Sequence, residues 1–203
     1  MKVIVTGKGG QLASEFENIK GKNPDWTFLS AEDLDITNES LVKSFFDDKQ
    51  IDIVINCAAY TAVDKAEDDI ELAYAVNEKG VKHLIEACQM SNARLIHYST
   101  DYVFNGESSE PYSEYHKADP QNIYGKSKLA GEELLNKEKT LNSMIIRTSW
   151  VYSNFGSNFV KSMLRLGIEK SELGIVSDQI GSPTNACDLA KDTLKVIEDT
   201  NYL

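Results

Sequence analysis

This 203-residue sequence predicts an α/β fold with a doubly wound parallel sheet, on three observations. Short apolar runs rich in valine and isoleucine alternate with longer amphipathic stretches. The apolar runs are continuous, as in strands covered on both faces by helices. Directly after the first run comes a cluster of glycines, which marks a tight strand-to-helix turn.

The strands are read as "VIVTG" (3–7), "WTFLS" (26–30), "IDIVINCAA" (51–59), "ARLIHYST" (93–100) and "SMIIRTS" (143–149). Helical patterns lie between them near 11–20, 38–49, 67–91 and 123–138. In the third, Leu72, Val76, Leu84, Ala87 and Cys88 recur at spacings that place them on one face. Before the second, Thr37 or Asn38 is suited to cap the helix. The stretch "FNGESSEPYSEYHKADPQN" (104–122) has two prolines and no periodicity. It reads as a long loop over the carboxyl edge of the sheet, where ligands bind in such folds. Beyond residue 150, helices near 157–169 and 186–199 flank "LGIVSDQIGSPTN", expected to hold a strand and a loop.

Composition narrows the functional classes. A formal net charge of -11 without clustered lysines excludes a phosphate-backbone binder, so no nucleic-acid partner is expected. The three cysteines, Cys57, Cys88 and Cys187, are far apart and lack C-x-x-C spacing, which argues against a disulfide framework or a zinc site. No run approaches the ~18 apolar residues of a membrane span, and "MKVIVTGKGG" is unlike a signal peptide. A cytoplasmic protein with no membrane partner is the expectation.

The first glycine turn carries the first chemical reading. In "VIVTGKGGQLASEF", Gly7, Gly9 and Gly10 stand between a strand and a helix, with Ala13 three residues further on. Glycines let backbone N–H groups approach a pyrophosphate, and the helix amino terminus favours negative charge. At the tip of the second strand, "FLSAEDLDIT" has Ser30 where an NAD-type site carries an acid. That tip tolerates a 2′-phosphate, while Glu32 and Asp33 nearby keep NAD(H) open beside NADP(H).

The second reading comes from the fourth strand and the helix after the long loop. The strand ends in Ser99, Thr100 and Asp101, polar groups at the edge where catalytic residues collect in parallel sheets. Taken alone, such hydroxyls serve as backbone caps. In "YGKSK", Tyr124 and Lys128 are four apart and share a helix face. An ammonium beside a phenol favours the phenolate and draws its pKa down from about 10. Lys126 faces elsewhere and reads as solvated. His83 and Cys88 read as packing residues, and His97 as a satisfied buried imidazole.

These residues resemble the extended branch of the short-chain dehydrogenase/reductase superfamily. Within it, "GKGGQLASE", "DIVINCAAYTAVDKAE", "LIHYSTDYVFNG", "YGKSKLAGE", "RTSWVY" and "DQIGSPT" are similar to the dTDP-4-dehydrorhamnose reductase family, in the expected order along nearly the whole chain. The resemblance implies an NAD(P)-binding Rossmann domain over 1–150, with 151–203 as the remainder of that core and the start of a substrate-binding portion, the rest of which is largely missing or reduced. It implies reduction of the C4 keto group of dTDP-6-deoxy-L-lyxo-4-hexulose, in dTDP-rhamnose and polysaccharide biosynthesis. Tyr124 would donate the proton, Lys128 would tune it and hold the nicotinamide ribose, and Thr100 would bond the reacting oxygen. Gly7, Gly10, Gln11 and Leu12 match the pyrophosphate turn, Asp35 and Ile36 the adenine edge, and Ala58, Ala59, Tyr60 and Thr61 the loop after the third strand. Val63, Asp64, Asp101, Tyr102 and Trp150 would face the dTDP-sugar. The same analogy allows magnesium and a homodimer, although no metal-ligand spacing is present. The alternatives are a non-catalytic NADP-binding regulatory subunit of the same fold, as in methionine adenosyltransferase, and a nucleotide-sugar epimerase or dehydratase. Against the dehydratase, Thr100 is followed by Asp101-Tyr102 where Asp-Glu is expected.

Overall fold

The computed structural model describes residues 1–47 and 49–199. Five parallel strands, β1 (Val3–Thr6), β2 (Trp26–Leu29), β3 (Ile53–Asn56), β4 (Arg94–Thr100) and β5 (Ser143–Thr148), form one sheet in the order β2-β1-β3-β4-β5. The order reverses at β1, so the chain winds outward in both directions and leaves a crevice beyond the carboxyl ends of β1 and β3. β1, β3 and all of β4 beyond Arg94 are buried, which explains their uninterrupted apolar runs.

Helices cover both faces. On one lie α2 (Glu39–Phe46), α4 (Gly80–Ser91) and α5 (Ile123–Lys137), packed over Ile4, Val54 and Leu95. On the other lie α1 (Gln11–Lys20) and α7 (Ala186–Glu198), packed over Val3, Val5, Ile55 and Ile96. The two sets of inward residues alternate along each strand, as the two-residue period of a strand requires. Asn38, not Thr37, caps α2 by accepting from the Leu41 amide. That helix ends at Phe46, short of the expected 49, and Asp48 lies outside the described residues. Residues 200–203 of the expected C-terminal portion lie outside them too.

Two expectations need correcting. The helix expected over 67–91 is three pieces: α3 (Ile70–Tyr74), a π-helical turn at Ala75–Lys79, and α4. The π turn adds a residue to the repeat and rotates what precedes it, so Ala73 is buried while Leu72 is exposed, off the face it was expected to share with Leu84. Of the strand expected within 173–185, only β7 (Thr184–Asn185) forms, paired with β6 (Val151–Tyr152) in a separate two-stranded ribbon. The stretch before it, with Ile175, Val176 and Ile180 exposed, has no neighbouring strand to pair with among the described residues. α6 (Phe159–Glu169) completes the chain order between β6 and β7. No helix among the described residues is long and apolar enough to cross a membrane.

Candidate functional site

The glycine turn bends where β1 meets α1. Gly7 has φ 77°, and a Cβ there would lie 2.7 Å from the backbone of Cys57 and Ala58, so only glycine fits between β1 and the end of β3. Gly9, at φ 89°, meets nothing within 4 Å on its Cβ side. Gly10 begins α1 without a side-chain cap, and its N–H donates to Gly7 O at 3.0 Å. The result is an open cradle of backbone at a helix amino terminus, with room and polarity for a pyrophosphate. Gln11 leads that helix, but its side chain is engaged sideways: Nε2 donates to Val151 O at 3.3 Å, and Oε1 accepts from Asn158.

Around the cradle, the tip of β2 presents Ser30, whose N–H and hydroxyl both donate to Asp33. Those bonds, with Lys8 nearby, hold the Asp33 carboxyl below the ordinary carboxylate range. Asp35 is exposed and accepts from Thr37. Ile36, by contrast, is a core residue whose carbonyl oxygen lies 2.9 Å from His83 Nδ1. Of the pair expected at an adenine edge, Asp35 alone offers an exposed side chain. Leu12, Ala58, Ala59 and Tyr60 are half-buried along the crevice, and Thr61 is exposed. Asn77, buried in the π turn, fixes this loop: it accepts from Tyr60 N at 2.9 Å and donates to Tyr60 O and to Ser127 Oγ on α5. The π turn thus aims a polar side chain at a ligand-facing loop, a common use of such turns.

Thr100 ends β4 and caps a short 3₁₀ turn, Asp101–Val103, by accepting from Tyr102 N; its own hydroxyl donates to Asp101 at 3.1 Å. Ser99 Oγ is buried without a hydrogen-bond partner. Tyr124, in the first turn of α5, sits edge-on to Tyr102 with ring centroids 5.6 Å apart, its phenol on the side of the Thr100 hydroxyl. α5 can approach this closely because Gly125 faces Tyr102 O, where a Cβ would lie at 2.2 Å. Asn122 caps the helix from the end of the long loop.

The electrostatics run opposite to the sequence expectation. Burial pushes the Tyr124 phenol up to about 12, the Thr100 hydroxyl pulling back and Asp101 adding to the rise. The Lys128 amino group does not sit against the phenol. Its Nζ donates to Tyr98 O at 2.6 Å and lies 3.3 Å from His97 Nε2, and burial lowers its pKa to about 8. Residues four apart on a helix share a face, but a long lysine side chain chooses its partner by what the neighbouring strand offers. Burial also raises the Asp101 carboxyl. Lys126 is exposed, as expected.

Val63 is half-buried and Asp64 exposed at the start of the 3₁₀ turn Asp64–Glu67, next to the crevice loop. Trp150 sits at φ 46° and is 43% exposed, with Gly181 against its indole edge. Two features were missed from sequence. Glu132 is fully buried and receives Arg147 in a bidentate pair, with Nη2 at 2.6 Å, while the guanidinium lies 5.0 Å above Phe104. Phe104 stacks on Tyr112, so this pair pins the long loop to α5. The clue was in the spacing, since Tyr124, Lys128 and Glu132 follow at intervals of four. The other is Asn56, buried at the end of β3 between Thr6 and His97. Among the described residues no group of three or more His, Cys, Asp or Glu is placed to hold a metal ion, and nothing supports magnesium here.

The RmlD substrate binding domain model matches residues 1–202. A spore coat polysaccharide biosynthesis protein, SpsK, of Bacillus subtilis is 45% identical over 196 residues, 96% of this chain and 69% of that protein. The crystal structure of a dTDP-4-dehydrorhamnose reductase from Clostridium acetobutylicum superposes with a TM-score of 0.94 at 46% identity, covering 100% of this chain and 72% of that one. The dTDP-4-dehydrorhamnose reductase from Bacillus anthracis, in complex with NADP, gives 0.93 at 43% identity, covering 100% and 73%.

Proposed function

The chain belongs to the RmlD substrate binding domain family, and from that premise we propose that it reduces the C4 ketone of dTDP-4-dehydro-L-rhamnose with NADPH. The observation that carries the reading is the phenol of Tyr124 set beside Thr100 and Tyr102 at the carboxyl end of β4, on the same sheet edge as the open Gly7–Gly10 cradle. When bound, NADPH supplies the hydride. The backbone of Gly7, Gly10, Gln11 and Leu12 would hold its pyrophosphate at the amino terminus of α1. NADPH is favoured over NADH because the similar Bacillus anthracis reductase was crystallised with NADP, and because Ser30 occupies the strand tip with Lys8 close to it.

Thr100 and Tyr124 would both point hydroxyls at the C4 oxygen. With its pKa near 12, Tyr124 carries its proton at neutral pH and is a donor from the outset. Giving the proton to the forming alkoxide leaves a phenolate. Thr100 and the Lys128 ammonium, moved off Tyr98 O, would stabilise it. Asp101, Tyr102, Val63, Asp64 and Trp150 would position the sugar, and a homodimer is part of the proposal. The test is NADPH oxidation with the 4-keto-6-deoxy sugar nucleotide. Tyr124→Phe should lower kcat by about 10²–10⁴-fold while NADPH still raises the melting temperature. Full activity in that variant would overturn the donor assignment.

A further inference from the structure

A line of buried hydrogen bonds crosses beneath the site, and its direction can be read. Thr6 Oγ1 donates to Asn56 Oδ1 at 2.7 Å, and the Ala58 N–H points at the same oxygen from 3.2 Å. That N–H also has Thr6 Oγ1 at 3.4 Å, but with the amide turned over, the Asn56 NH₂ would meet the Ala58 N–H donor to donor at 3.2 Å, so the amide oxygen faces it. Asn56 Nδ2 is therefore the atom 3.0 Å from His97 Nδ1, and that ring nitrogen has to accept. A neutral imidazole with a bare Nδ1 carries its proton on Nε2, which lies 3.3 Å from Lys128 Nζ. His97 remains neutral because burial holds it well below its ordinary pKa.

An ammonium has three donors and no lone pair, so it would meet the Nε2–H donor to donor. A neutral amine completes the line: it accepts from His97 and donates to Tyr98 O at 2.6 Å. Thr6, Asn56, His97 and Lys128 are all buried. Among the described residues the one anion acting on the lysine is Glu132, which favours its charged form but is itself paired with Arg147, so burial prevails. Burial keeps the Cys57 thiol protonated, Tyr124 remains a phenol, and Tyr98 contributes only its carbonyl.

We infer that His97 is a positioning residue for Lys128. Through its Nε2–H it holds the lysine as a neutral amine retracted onto Tyr98 O, and protonation of that amine, by a proton from solvent, releases it towards Tyr124. That this release serves turnover rests on the reductase reading; the tautomer and the amine can be measured without turnover.

Long-range ¹H–¹⁵N spectra of the ring nitrogens, with the His97 signals assigned by their loss in His97→Gln, should show a bare Nδ1 and a protonated Nε2. In ¹³C-lysine-labelled protein, with Lys128 assigned through Lys128→Arg, the Lys128 transition should move up by about one pH unit in His97→Gln, roughly the worth of one hydrogen bond. A proton on Nδ1, or an unmoved Lys128 transition in folded His97→Gln, would overturn the inference. If that variant does not fold, the tautomer in the unaltered protein decides. Loss of NADPH oxidation alone would count against the reductase reading and leave this result standing.

Discussion

In the sheet and its flanking helices, Val5, Val54, Ile55, Leu84 and Leu95 have no exposed surface, and polar side chains such as Asn56 and His97 are buried among them with partners. The segment after Trp150 is organised differently. α6 has no buried residue, and Leu164 is 67% and Ile168 89% exposed. Its order comes from short-range devices. Asn158 caps it through the Lys161 amide and donates to Gln11 Oε1 and Ser153 O, and Arg165 pairs with Glu169. The first region derives its stability from burial over both faces of a sheet, the second from caps and surface pairs worth far less each. The difference places Thr100, Tyr124 and Lys128 on a rigid frame and Trp150 at the border of a lightly held one.

Paired deletions test the contrast most strongly. Leu84→Ala should cost about 2–5 kcal/mol in urea unfolding, since it opens a cavity in the core under α4. Leu164→Ala should stay within about 0.5 kcal/mol. Equal costs would mean that α6 is as well packed as the sheet.

The second effect is a pH dependence that belongs to the frame alone. Lys128 titrates near 8 when folded against 10.5 as its ordinary value, so between those values the unfolded chain holds the extra proton. Stability contributed by the neutral amine is therefore gained as pH rises from about 8 to 10, and is absent below 8. Above 10 the raised Tyr124 pKa acts the other way, because the unfolded phenol ionises first. Lys128→Met should flatten the rise, which is on the order of 2 kcal/mol, in unfolding midpoints taken at pH 7, 8, 9 and 10. An identical slope in the variant would show that the lysine is not the group responsible.

The smallest effect separates the regions by exchange. Asn158→Ala removes the cap of α6 and should cost about 1 kcal/mol locally. Amides of α6 should then exchange several-fold faster with deuterium, while those of β1, β3 and β4 keep their protection. Uniform acceleration would mean that the two regions unfold as one.

Much of this was legible in the residues. The strands β1 to β5 were read within a few positions because strands buried on both faces leave continuous Val and Ile runs. The cradle was legible because Gly7 is the one residue type that tolerates both a positive φ and backbone at 2.7 Å. The break at Ala75–Lys79 was not, because a π turn alters the helical phase and the single Gly80 that ends it is equally compatible with the interior of one continuous helix. Nor was the stretch before β7, where apolar Ile175 and Val176 suggest a strand that no neighbour among the described residues completes.

By itself the sequence determined the order of elements, the glycine turn and the Tyr124–Lys128 spacing, since all three follow from local periodicity and backbone sterics. Only the tertiary structure decided what Lys128 touches. Its stem is long enough to reach Tyr124 or the floor beneath it, and β4 offers Tyr98 O and His97 at hydrogen-bonding distance. The charge state of that lysine is accordingly a property of burial among strands distant in sequence.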